Sequence, residues 1–207
     1  MISILDYDAG NVKSVEKALQ YLGAEAIITR DSKIIQESSH LILPGVGAFG
    51  DCMEKLHFYG LIPEMEKFIQ SGKPFLGICL GLQLLFEESE ETPGVAGLGF
   101  LKGKIHRIPD DNGQRKVPHI GWNNIEFQKE IPLFKGLEQD PYVYFVHSYY
   151  LKAENREDVA ATTSYGVNID CAVSHGNINA TQFHPEKSSK VGLQILDNFI
   201  NMTGEEK

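Results

Sequence analysis

The string Gly77-Ile78-Cys79-Leu80-Gly81 sets one cysteine between two glycines, directly after an apolar run and directly before a helix-compatible one. That frame is the cysteine form of a nucleophile elbow. A strained backbone at a strand-to-helix turn presents the side chain, and small neighbours let other chain pack close against the turn. Backbone N–H groups and the positive end of a helix dipole at such a turn favour the nucleophilic thiolate. A cysteine in this role needs an imidazole to exchange protons with and a third group to orient that imidazole. The string Thr181-Gln182-Phe183-His184-Pro185-Glu186 offers both. Pro185 keeps the chain extended, and residues two apart in extended chain point the same way, so the His184 imidazole and the Glu186 carboxylate are placed to meet. Cys79, His184 and Glu186 are therefore the candidate catalytic residues, as nucleophile, acid/base and orienting carboxylate of an acyl-transfer site.

A second glycine-rich string, Gly45-Val46-Gly47-Ala48-Phe49-Gly50, matches the G-x-G-x-x-G pattern of dinucleotide-binding turns. It follows the third strand, a proline precedes its first glycine, and no acidic residue ends a strand about 20 positions on, where a ribose contact belongs. Glycine-freed backbone N–H groups beside a nucleophile serve better to receive the oxyanion of a tetrahedral intermediate. The amides of Val46 and Leu80 are the candidates.

The elements that must position these groups alternate over the first ninety residues. Ile2 to Leu5 reads as a strand, and Asn11 then caps a helix whose apolar positions run from Val12 to Leu22 and stop at Gly23. Strands follow at Ala26 to Ile28, at His40 to Leu43 and at Phe75 to Ile78, with a helix from about Leu61 to Ile69 and another from Leu80 to Glu88. Such alternation specifies a parallel sheet covered on both faces. After Pro93 the texture turns to β-branched and aromatic stretches separated by turns, which predicts antiparallel hairpins; Gly176-Asn177 is a tight turn between the last two strands, and Val191 to Ile200 forms a final helix. The expected architecture is a three-layer α/β/α domain with a mixed, mostly parallel central sheet, and no Pro/Gly/Ser-rich linker divides residues 1–207.

Composition narrows the function. Nineteen basic against 28 acidic residues give a formal charge of −9, and no basic patch overrides it, which argues against nucleic acid as a ligand. Apolar runs fall far short of the roughly 20 residues that span a bilayer, and the chain enters a strand without a charged leader, so a cytoplasmic protein with no membrane association is expected. Cys52, Cys79 and Cys171 are too widely spaced for a zinc pattern and too few for a disulfide framework. No metal or cofactor is expected, and Cys52 and Cys171 read as small buried hydrophobes. Outside the triad, His40, His57, His106, His119, His147 and His175 read as structural or surface imidazoles.

The elbow, the Pro-Gly-Val-Gly loop and the terminal His-Pro-Glu, in this order, resemble class I (triad) glutamine amidotransferases across almost the whole chain. Within that class, PGVGAF, GICLGLQLLFEESEE, VPHIGWN, YFVHSYY and QFHPEKS are similar to the branch of glutaminase subunits that serves imidazole glycerol phosphate synthases. The resemblance implies a flavodoxin-like fold and hydrolysis of L-glutamine to glutamate and ammonia. It also implies a heterodimer with a (β/α)₈-barrel cyclase subunit, to which the ammonia is channelled in histidine biosynthesis. It further implies that Gly47, Gln83, Ser148 and Tyr149 line the glutamine pocket and that Asn11, Trp122, Tyr144 and Lys187 face the cyclase. For Trp122 and Tyr144, aromatic residues on strands, core packing is the competing reading. The elbow alone would also suit a cysteine peptidase or thioesterase; Gln83, one helical turn past Cys79, favours a small amide instead. Glutaminases feeding anthranilate or pyridoxal phosphate synthesis share elbow and triad but are disfavoured by the PHIGWN and PGVGAF strings.

Overall fold

The computed structural model describes residues 1–8 and 12–204. Its first half alternates as expected: β1 Ile2–Leu5, α1 Val12–Tyr21, β2 Ala26–Thr29, α2 Ser32–Glu37, β3 His40–Gly45, α3 Phe49–Phe58, α4 Ile62–Gln70, β4 Phe75–Cys79 and α5 Leu80–Leu84. The second half is strand-rich: β5 Glu88–Ser89, β6 Gly103–Arg107, β7 His119–Asn124, β8 Glu126–Phe127, β9 Tyr142–His147, β10 Tyr149–Ala153, β11 Val159–Ser164, β12 Asn168–His175 and β13 Ile178–Thr181, closed by α6 Ser189–Ile200.

The main sheet runs β2-β1-β3-β4-β13-β12-β10-β6-β5. It is parallel from β2 to β13 and antiparallel through β12, β10 and β6. Successive strand residues point to opposite faces, so Leu41 and Leu43 join one apolar cluster with α3 and α4. Ile42 between them joins the other, with α1 and α6. This is the three-layer mixed-sheet architecture read from the sequence. The last hairpin turns at Gly176-Asn177, where His175 pairs with Ile178 and Gly176 takes φ +54°. A separate two-stranded ribbon, β7 with β9, sits outside the main sheet. Among the described residues no helix is long and apolar enough to cross a membrane.

Three local expectations change. The helix after Cys79 ends at Leu84 rather than Glu88. Residues 79–86 are buried on all sides, so no amphipathic stripe marks where the helix stops, and Glu88 leaves to pair with Lys104 of β6. Two helices went unread. Helix α2 carries an N-cap signal, the Asp31 carboxylate accepting from the Ile34 N–H at 3.0 Å. Helix α3 carries an apolar face of Phe49, Cys52, Met53 and Leu56 at helical spacing, obscured by the glycine string that runs into its start. The proposed cap at Asn11 lies outside the described residues.

The contact between β3 and α5 at the elbow requires glycine. A Cβ on Gly81 would stand 2.0 Å from the Leu43 carbonyl oxygen, and one on Gly77 would stand 2.9 Å from the Gly81 carbonyl oxygen. Both obstructions are backbone and cannot rotate away. The substitution Gly81→Ala is expected to destabilise the fold by about 3 kcal/mol or more, measured by urea unfolding; a loss under about 1 kcal/mol would show that the strand and helix can separate at little cost.

Candidate active site

Cys79 is the last residue of β4 and the residue before α5, with φ 56° and ψ −111°. A side chain other than glycine is strained there, and residues held this way cluster at functional sites. The neighbouring strand β13 runs parallel to β4 with Thr181 opposite Ile78. The chain beyond β13 therefore rises level with Cys79 and carries Gln182 and His184 to it.

His184 is buried and Glu186 buries its side chain completely. The His184 Nδ1–H donates to Glu186 Oε1 at 2.8 Å, which fixes the tautomer and leaves Nε2 buried, without a hydrogen-bond partner, in a cleft whose lining His184 shares with Cys79. The meeting of imidazole and carboxylate is as expected, but its backbone is not: Pro185–Lys187 is a 3-10 turn, not extended chain. Proline's fixed φ suits the first position of a helical turn as well as a strand. The backbone of His184 is tied to β9. Its N–H donates to the Tyr144 carbonyl at 3.0 Å, while the Ser188 hydroxyl donates to the His184 carbonyl at 2.7 Å and accepts from the Tyr144 N–H at 2.9 Å.

Cys79 and His184 open into a cleft of about 420 Å³ whose lining includes Val46, Gly47, Leu80, Gln83, Ser148 and Tyr149, all expected, and also Lys187, expected instead on the partner face. Wider grooves around Pro132 hold neither a cysteine nor an imidazole. Three further groups at the site were missed. Glu91 lines the cleft and holds the start of α3, its Oε2 accepting from the Phe49 N–H at 2.8 Å. His147, read as structural, also lines it. Gln182, completely buried, donates from Nε2 to Cys79 Sγ at 3.7 Å. Glu91 gave no signal among four neighbouring glutamates; Gln182 lay inside a string already singled out, two residues before His184.

Trp122 and Tyr144 face each other across the β7–β9 ribbon, ring centroids 6.2 Å apart. Trp122 is 52% exposed, so core packing does not hold for it. Ile120 and Tyr142 are exposed beside it, and the Lys187 ammonium lies 6.0 Å from the Tyr144 ring. Asn11, the fourth expected partner-facing residue, lies outside the described residues. Among the described residues no group of acidic, histidine and cysteine side chains could hold a metal ion.

Burial alone would lower the His184 pKa, but the neighbouring Cys79 and the hydrogen-bonded Glu186 more than offset it and raise it to about 9. Burial pushes His119 down to about 4 and His147 to about 3. The signs differ. His184 contributes stability that is full below its unfolded value of 6.5 and is lost as pH rises through about 9. For His119 and His147 the unfolded chain takes up protons first, so stability falls as pH drops from 6.5 toward 4. Urea unfolding across pH 4 to 10, a range of roughly three units either side of neutrality, is expected to show both edges. His184→Gln should remove the loss between pH 6.5 and about 9 and leave the fall above it, where burial holds the Cys52 and Cys171 thiols protonated in the folded chain; an unchanged slope between pH 6.5 and 9 would refute the pairing.

A family model described as glutamine amidotransferase class-I matches residues 3–202. The chain is 48% identical over 206 residues to the imidazole glycerol phosphate synthase subunit HisH of Syntrophotalea carbinolica, covering 98% of this chain and 100% of that one. It is 49% identical to the subunit of the same name in Methanothermobacter thermautotrophicus, covering 98% of each. A solved glutamine amidotransferase superposes with a TM-score of 0.73 at 23% identity, over 96% of this chain and 98% of that one, a likeness of fold. The chain belongs to the class-I glutamine amidotransferase family, in the branch formed by the HisH subunits of imidazole glycerol phosphate synthase.

Proposed function

We propose that the whole chain acts as one glutaminase domain that hydrolyses L-glutamine and passes the ammonia to a (β/α)₈-barrel cyclase partner. The observation that carries this reading is the strained Cys79 standing at the cleft beside a His184 whose other nitrogen is held by Glu186. The Cys79 thiolate attacks the carboxamide carbon, and the carbonyl electrons move to oxygen, where the N–H groups of Val46 and Leu80 receive the oxyanion. His184 gives its Nε2 proton to the departing nitrogen, the C–N bond breaks, and ammonia leaves behind a thioester. His184 then takes a proton from water as that water attacks the thioester; the C–S bond breaks, glutamate forms and the thiolate returns. Glu186 keeps Nδ1 protonated throughout. Gly47, Gln83, Ser148 and Tyr149 line the cleft around the amino-acid end of the substrate, and Glu91 supplies a carboxylate for the α-ammonium.

Ammonia released to water becomes mostly ammonium, which is not a nucleophile. A synthase therefore gains from an enclosed transfer and from a glutaminase that idles until the acceptor is present. The loop Gly45-Val46-Gly47 suits such control, because a peptide beside glycine can turn its N–H toward or away from the oxyanion position. The exposed face of Ile120, Trp122 and Tyr142 supplies the apolar surface on which the cyclase docks.

Glutamate release is the test, measured for the chain alone and with a cyclase subunit plus its nucleotide. Stimulation on the order of tenfold or more is expected, with no release from Cys79→Ala; equal rates with and without the partner would sink the coupling. Trp122→Ala should leave stability within about 0.5 kcal/mol while weakening cyclase binding by about 2 kcal/mol, or roughly thirtyfold, read by titration calorimetry. Unchanged affinity would move the interface elsewhere.

A further inference from the structure

Behind the cleft, two glutamine side chains join the wall to the sulfur. Gln83 Nε2 donates to the Tyr149 carbonyl at 3.0 Å and to Gln182 Oε1 at 2.9 Å. Gln182 Nε2 stands 3.7 Å from Cys79 Sγ as a donor to it. An amide side chain can be turned end for end, and here the direction is fixed by one group that cannot vary. The Tyr149 carbonyl only accepts, so the Gln83 nitrogen faces it. The same nitrogen meets Gln182, which must then present its oxygen. The Gln182 NH₂ is left pointing at the sulfur.

That placement follows from strand register. Thr181 pairs with Ile78, so Gln182 is the first residue beyond β13 just as Cys79 ends β4. The Gln182 backbone is anchored as well, its N–H donating to the Cys171 carbonyl at 2.8 Å. With the residue 0% exposed and Gln83 4% exposed, water has little access to either amide. A buried N–H donor gains little from a neutral thiol, a weak acceptor, and much more from a thiolate.

We infer that Gln182 is a further catalytic residue, whose side-chain N–H stabilises the Cys79 thiolate before attack and again when the thioester is cleaved. The inference rests on Cys79 being the nucleophile. It assigns the two sides of the sulfur different work: His184 moves the proton and Gln182 holds the charge. Gln83 is the positioning residue that keeps Gln182 turned the right way.

The test is the rate at which iodoacetamide alkylates Cys79 in the purified chain at pH near 7, followed by peptide mass spectrometry to separate it from Cys52 and Cys171. Gln182→Leu, similar in volume and without a donor, is expected to slow alkylation about tenfold. Gln182→Glu, which sets a carboxylate against the sulfur, should slow it further. Glutamate release with the cyclase should fall in kcat with KM within about twofold. Wild-type alkylation rates in folded Gln182→Leu and Gln182→Glu would overturn the assignment. Should those variants fail to fold, Gln83→Met decides: it removes the group that orients Gln182, and alkylation several-fold slower supports the inference whereas an unchanged rate overturns it. Alkylation needs no glutamine turnover, so the two readings fail separately. Persisting glutamate release in Cys79→Ala would remove the nucleophile assignment while the thiolate contact stayed measurable.

Discussion

The backbone of Cys79, at φ 56° and ψ −111°, is a position that costs on the order of 1–3 kcal/mol and persists only where its surroundings over-determine it. Here the surroundings are the centre of the parallel sheet. Strand β4 lies between β3 and β13, all five of its residues are buried, and the helix that follows is pressed against the Leu43 carbonyl with no room for a Cβ. The strain is thus carried by a fully buried strand flanked on both sides. The positive-φ turn at the strand end stands Cys79 at the cleft, at the level where the chain beyond β13 delivers His184 and Gln182.

The second dependence runs through the β7–β9 ribbon. Along β9 the residues alternate, so Val143, Phe145 and His147 turn inward while Tyr142, Tyr144 and Val146 turn out. The outward side forms the exposed aromatic face with Ile120 and Trp122. The backbone of the same strand accepts from the His184 N–H and is bridged through Ser188 to the His184 carbonyl. A partner seated on the aromatic face would therefore bear on the strand that holds the imidazole, with no intervening loop to absorb the load.

How much of this could be read from sequence depended on whether the signal was local. The elbow was legible because Gly77, Cys79 and Gly81 carry their constraint within five residues, and the sheet because helix and strand periods alternate cleanly. Helix α3 was missed because its start shares residues with a glycine string that reads as loop. The end of α5 was misplaced because a segment buried all round has no stripe to count. The turn at Pro185 was misjudged because a fixed φ suits two backbone forms, yet the contact it serves was right. Glu91 and Gln182 give no local signal for a different reason: each meets a partner remote in sequence, Phe49 at a helix start for Glu91 and Cys79, by strand register, for Gln182.

Hydrogen bonding explains why the wall of the cleft that carries His147 and Tyr149 is polar without being charged. Asn123 Nδ2 donates to the Ser164 carbonyl at 3.0 Å, so its nitrogen also faces His119 Nε2, at 3.4 Å. His119 must then carry its proton on Nδ1, which points at His147 Nε2 at 3.0 Å, and His147 in turn carries its proton on Nδ1, donating to the Tyr149 carbonyl at 2.8 Å. Every proton in the chain is assigned once the two fixed carbonyls at its ends are named. A second proton on either ring would set two donors against each other in a buried site, which compounds the burial that already holds both imidazoles neutral. The Tyr149 carbonyl where this chain ends is the one from which Gln83 and Gln182 begin. Two uncharged hydrogen-bond chains thus converge on one wall of the cleft, and imidazolium charge is favoured at His184, beside the sulfur that needs it.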